Sequence, residues 1–186
     1  MKMKKAEAEL NSAMMASGDI PMEIHTRIGI NTGSMVVGNM GTDNKMNYTI
    51  MGNDVNLAAR LEGVNKQYGT WILVSEETWN DTDNIFAGRK LDLVRVVGIN
   101  KPVQLYNILD VYSDAPPNVL KLCEYFNQAV DAYQKRQFKE AYLLFDKCLK
   151  LDPEDKPSRI FINRINTLIK EGIPENWTGV INLTSK

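Results

Sequence analysis

The chain has 186 residues, 44% of them hydrophobic and 24% charged, with 22 Lys+Arg against 23 Asp+Glu and a net charge of −1. That length holds one ordinary domain plus a small addition, with a core that needs no disulfide support. Interspersed charges of both signs exclude the basic stripe of a nucleic-acid binder. Apolar runs such as Trp71-Ile72-Leu73-Val74 are far too short to span a bilayer.

Met1-Lys2-Met3-Lys4-Lys5 is followed by Ala6-Glu7-Ala8-Glu9, not by an apolar stretch, so no signal peptide is expected and the chain reads as cytoplasmic. Tethering of a longer parent protein through upstream regions stays open. The segment 3–17 is predicted helical, closed by Ser17-Gly18-Asp19. Strands are predicted at 23–31 and 34–39, joined by a Thr32-Gly33 turn. In the first, Ile24, Ile28 and Ile30 alternate with His25, Arg27 and Gly29, as a half-buried strand requires. His25 has no second histidine or Cys-x-x-Cys beside it, so a structural role is expected and no zinc site.

A third strand, with Tyr48, Thr49 and Ile50, ends at Gly52, and a helix over 53–67 opens with Asn53 as its predicted N-cap. Leu57, Leu61 and Val64 form its buried stripe. Asn56 and Arg60, four residues apart, share one face near the N-terminus, where unpaired N–H groups and a fork-shaped cation suit a polyphosphate. On spacing alone, a capped surface helix with a solvated Arg60 accounts for the same residues.

Next come a strand at Trp71–Val74, a short helix from Ser75, and strands at 86–97 and 103–109 turned by Gly98 to Pro102. A Pro116-Pro117 linker separates this α+β part from an all-helical one. There Tyr125, Ala129, Phe138, Ala141, Phe145 and Pro153 resemble one tetratricopeptide (TPR) unit, with a third helix at Pro157–Lys170 carrying Ile160, Ile162, Ile165 and Ile169. An ordinary helical hairpin predicts the same packing, against the α+β part or a second subunit. Cys123 and Cys148 lie in these helical patterns and are expected as buried, reduced thiols.

Three runs carry a longer resemblance. Arg27-Ile28-Gly29-Ile30-Asn31-Thr32-Gly33, then Val36-Val37-Gly38-Asn39-Met40-Gly41, then Asn47 to Glu62, resemble in order and spacing the second half of a class III nucleotide cyclase catalytic domain. The resemblance implies an α+β fold, an incomplete ferredoxin-like cyclase domain over 1–110; the linker is read over 111–118, the TPR-like annex over 119–172 and a tail over 173–186. It further implies conversion of ATP to 3′,5′-cyclic AMP and pyrophosphate at a dimer interface. Arg60 matches the transition-state arginine, Asn56 the ribose-orienting asparagine, and Thr49 a purine-contacting position whose threonine favours ATP over GTP. The family's phosphate lysine falls near Val97, which is apolar, leaving Lys101 as the nearest candidate.

Mg²⁺ or Mn²⁺ is implied, on aspartates of a first half that this chain lacks, so no metal ligand is assigned within it. Asp54 and Glu62 are expected to serve the helix surface, and Gly29, Gly33, Gly38 and Gly41 to serve turns and bulges. The implied partner is a head-to-tail second copy or a complementary cyclase subunit, and the chain alone is expected to be inactive. A protein ligand for the annex stays open. Two alternatives remain, a guanylate cyclase and a non-catalytic interaction module of the same fold. Either way, an incomplete sheet leaves an exposed edge and an uncovered apolar face.

Overall fold

The computed structural model describes residues 1–96 and 101–183. Helix α1 (Lys2–Ser17) ends at Gly18, whose φ of 79° supplies the left-handed cap. The segment 23–27 is not a strand, contrary to its alternating pattern, because α1 side chains take its backbone hydrogen bonds. Asn11 accepts from the Ile24 N–H at 2.9 Å and donates to the Ile24 carbonyl at 2.7 Å, and Glu7 accepts from the Thr26 N–H at 2.8 Å. Pairing starts only at β1 (Ile28–Ile30), where the Ile28 N–H reaches the Trp71 carbonyl at 2.8 Å.

The predicted hairpin through Thr32-Gly33 is also corrected. β2 (Val36–Thr42) pairs antiparallel with β3 (Lys45–Met51) around Asp43 and Asn44, forming a separate two-stranded ribbon. Strand β1 instead runs parallel to β4 (Ile72–Ser75), across the crossover helix α2 (Asn53–Tyr68). After the short α3 (Glu76–Asn80), capped by Ser75, β5 (Phe86–Arg95) and β6 (Val103–Val111) complete an antiparallel pair. The predicted end of β5 at Val97 and the turn start at Gly98 lie outside the described residues.

α4 (Pro117–Gln134) begins at a proline, whose fixed φ suits the first helical position, and is followed by α5 (Phe138–Leu151) and α6 (Lys156–Glu171). In α6 the buried stripe is Pro157, Ser158, Phe161 and Ile165, whereas Ile169 is exposed. In the C-terminal tail, Trp177 packs on Tyr133 and Phe138, and β7 (Ile181–Asn182) adds to β5 in parallel. The sheet order is β1-β4-β6-β5-β7.

One continuous core joins the α+β part to the helices. Leu57 and Leu61 of α2, Leu73, Leu91, Val94 and Leu105 of the sheet, and Phe126, Phe145, Phe161 and Ile165 of the annex are buried together. The opposite face holds a small cluster of Ile72, Val74 and Ile108, covered by Met1, Ile28, Trp79, Phe86 and Tyr106. Cys123 and Cys148 are buried free thiols, pushed up to about 11 and about 12 by burial. At pH 8 the thiolate fractions are then about 10⁻³ and 10⁻⁴, so iodoacetamide is expected to modify neither residue until the protein unfolds. Mass spectrometry of the folded protein after alkylation checks this.

Candidate active site

α2 is seated on β1 by close packing and by directional bonds. A Cβ at Gly29 would collide with the Ala58 carbonyl and the Glu62 N–H, so this glycine serves neither a turn nor a bulge; it lets the helix touch the strand. Gly29→Ala is expected to lever α2 away and destabilise the chain by about 1–3 kcal/mol, read as a lower melting temperature. Asn65 is fully buried and donates to the Ile28 and Leu61 carbonyls at 3.0 and 3.1 Å. Arg27 pairs with Glu62 at 2.9 Å on the surface, as a helix-face role for Glu62 requires.

At the start of α2 the N-cap is Gly52, not Asn53. Gly52 sits at φ 155°, ψ 165°, a conformation that side chains rarely adopt, and no side chain among the described residues caps the helix. Asp54 does more than face solvent. Its Oδ2 accepts from the Ser34 N–H at 2.8 Å, and its carbonyl accepts from the Asn31 side chain at 3.1 Å. The loop after β1 is thereby tied to the first helical turn, and Gly33 leaves room for the Asp54 carboxylate. Sequence periodicity carries no sign of these ties, since they join residues 20 or more positions apart.

Asn56 is exposed and Arg60 half-buried, both on the same flank of α2, and their side chains bond to none of the described residues. Thr49 is half-buried in β3, opposite Gly38, three residues before the N-cap. Lys101 is exposed at the approach to β6. Register places it at the same end of the sheet as the α2 N-terminus: Ile30 lies beside Val74, and Val74 beside Tyr106, with β6 starting beyond that row. β6 is two strands from β1, about 10 Å. Val97 lies outside the described residues.

His25 lies tilted against Trp71, ring centroids 4.7 Å apart, and approaches Glu23 at 3.3 Å. Among the described residues no three His, Cys, Asp or Glu side chains converge on a point.

Together these residues present a helix N-terminus, a guanidinium and an amide without partners among the described residues, and an apolar ribbon that touches the helix. Val36, Val37, Met46, Tyr48, Ile50 and Met51 on that ribbon are all exposed. The family described as the adenylate and guanylate cyclase catalytic domain matches residues 1–110, which include all four candidate residues. The chain belongs to that family.

A curated relative from Dictyostelium discoideum, "Adenylate cyclase, terminal-differentiation specific", is 33% identical over 161 residues, covering 84% of this chain and 8% of the relative. That coverage cannot fit within residues 1–110, so the likeness runs on into the helical part. "Adenylate cyclase 1" of Rhizobium meliloti is 41% identical over 101 residues, covering 54% of this chain and 15% of the relative. The crystal structure of the adenylyl cyclase CyaB from P. aeruginosa is 36% identical and superimposes with a TM-score of 0.53, over 62% of this chain and 57% of that one. The cyclase chain thus spans less than a fifth of the length of these curated relatives. Its mixed α+β architecture is that of a partial class III cyclase domain followed by helices. Among the described residues no helix is long and apolar enough to cross a membrane.

Proposed function

We infer that this chain is a portion of an adenylate cyclase, making 3′,5′-cyclic AMP and pyrophosphate from ATP at an interface between two subunits. In that reaction the ribose 3′-oxygen bonds to the α-phosphorus as its proton leaves. The bond from that phosphorus to the bridging oxygen breaks, and pyrophosphate departs. Arg60 offsets charge on the pentavalent phosphorus, Asn56 holds the ribose, Thr49 touches the purine and Lys101 pairs with a phosphate.

One observation carries the reading. Asn56 and Arg60 stand on an open flank at the start of α2 with no partner among the described residues. A buried or ion-paired arginine could not turn toward an incoming polyphosphate; this one can. The Mg²⁺ or Mn²⁺ ligands would come from carboxylates outside the described residues, on a head-to-tail copy of the parent protein or a complementary cyclase subunit. The exposed apolar ribbon, which touches α2 through β3, supports such pairing. A nucleotide substrate favours a cytoplasmic setting. The annex remains available to a protein partner.

The choice of ATP rests on Thr49 and on the names of the relatives. It is tested by mixing this chain with a class III cyclase domain that keeps its metal carboxylates but lacks its own asparagine and arginine. Supplied with Mn²⁺–ATP or Mn²⁺–GTP, the mixture is expected to make cyclic AMP in clear excess, and Thr49→Cys to narrow that preference. Equal use of both nucleotides would overturn the adenylate assignment.

A further inference from the structure

The last residue of α2, Tyr68, is 1% exposed and sits in a polar cluster that joins three elements. Its hydroxyl donates to Asp92 Oδ2 of β5 at 2.5 Å and accepts from Arg164 Nη2 of α6 at 3.1 Å. Arg164 Nη1 also reaches Asp92 Oδ2, at 2.5 Å, while Asp92 Oδ1 takes the Leu93 N–H at 2.9 Å. A shift in the β5–β6 register between Lys90 and Asp92 accompanies the turn of this carboxylate toward the helices. Burial pushes both the Asp92 carboxyl and the Tyr68 hydroxyl above their ordinary values.

A second set of contacts closes the same junction. Lys156, at the start of α6, donates to the Lys66 carbonyl in the last turn of α2 at 3.3 Å, and its side chain lies against the cap residue Gly69. Asp155, the N-cap of α6, pairs with Arg89 of β5 at 2.8 Å, both side chains almost wholly buried. The far end of the helix carrying Asn56 and Arg60 is therefore held by the annex and not by the cyclase sheet alone.

We propose that Arg164 is a positioning residue for the Asn56–Arg60 pair, by which the helical annex sets the rotation of α2 through Tyr68 and Asp92. An apolar contact tolerates small slips, whereas desolvated bonds between charged groups are satisfied in one register. Replacing a buried ion pair by apolar groups often leaves stability unchanged or raises it, so stability alone does not account for this cluster. Tyr68 is eight residues beyond Arg60, about 12 Å along the same helix, so a rotation at one end is carried toward the other. A displacement of about 1 Å at a reacting group can cost a hundredfold in rate. The proposal rests on the catalytic reading of Arg60, and it also makes a prediction that does not.

The double variant Arg164→Met/Asp92→Asn removes both charges and keeps an acceptor for the Tyr68 hydroxyl, while Arg164→Lys keeps the charge without the fork. In the chain alone, hydrogen exchange of the α2 amides is expected to quicken at least tenfold in the double variant, with α5 unchanged. In the complemented enzyme, kcat is expected to fall about 10- to 100-fold at nearly constant KM and nearly constant melting temperature, with partial recovery in Arg164→Lys. Unchanged α2 exchange would overturn the coupling, whatever Arg60 does. Faster exchange with unchanged kcat would overturn the positioning role, provided Arg60→Ala is impaired in the same assay. If Arg60→Ala is itself fully active, the catalytic reading fails and the positioning role with it, and the exchange result then judges the coupling alone.

Discussion

Arg60→Ala is expected to lower kcat of the complemented cyclase by about 10² to 10³, with little change in KM for ATP. A group that meets charge developing only in the transition state contributes to kcat and not to ground-state binding, and losing one such donor costs about that factor. The substitution should leave the fold untouched. Arg60 makes no bond to the described residues, lies outside the buried core and gives way to the best helix former. Steady-state kinetics beside a thermal melt separate the two effects. A rise in KM at constant kcat would make Arg60 a simple phosphate binder.

Phe161→Ala is expected to destabilise the whole chain by about 3–5 kcal/mol, lowering the melting temperature by roughly 10 °C. Phe161 is fully buried in α6 and stacks on Phe145 at 4.7 Å and 16°. It also meets Phe126 and Tyr133 edge-on, at 5.8 and 5.1 Å. Its cavity would open in a cluster that runs without a break to Leu57 and Leu61 of α2. The loss should therefore appear as one earlier transition followed alike by helical circular dichroism and by α2 exchange. Two separated transitions, with the cyclase part melting as before, would show that the annex folds independently.

The contrast between these two residues marks what the sequence carries plainly and what it does not. Leu57, Leu61 and Val64 repeat at helical spacing, and all three are buried. Ala129, Ala141 and Phe145 are likewise wholly buried in the helical part, where small and aromatic residues were expected to meet. Ile24 and Ile30 alternate as convincingly, yet both are exposed, because Asn11 and Glu7 satisfy the local backbone from another helix and, among the described residues, no strand lies beyond β1. Phe161 escaped the isoleucine pattern of α6 because its partners come from two other helices. Gly29 looked like a turn glycine, since its neighbour Ala58 is remote in sequence.

The candidate site divides the same way. Asn56 and Arg60 were legible from motif order, and the α2 geometry puts them on one open flank. The Asp54–Ser34, Arg89–Asp155 and Tyr68–Asp92–Arg164 contacts were not legible, being pairings of ordinary polar residues across 20 to 96 positions.

Cyclic nucleotide formation by an equimolar mixture in which this chain carries the only intact asparagine–arginine pair, beside each component alone, tests the shared site most directly. The expected result is no product from either component, cyclic AMP from the mixture, and about 10²- to 10³-fold less when the chain carries Arg60→Ala. Cyclic AMP from this chain alone, lost in Arg60→Ala, would contradict the account, because the metal carboxylates would then belong to the same chain.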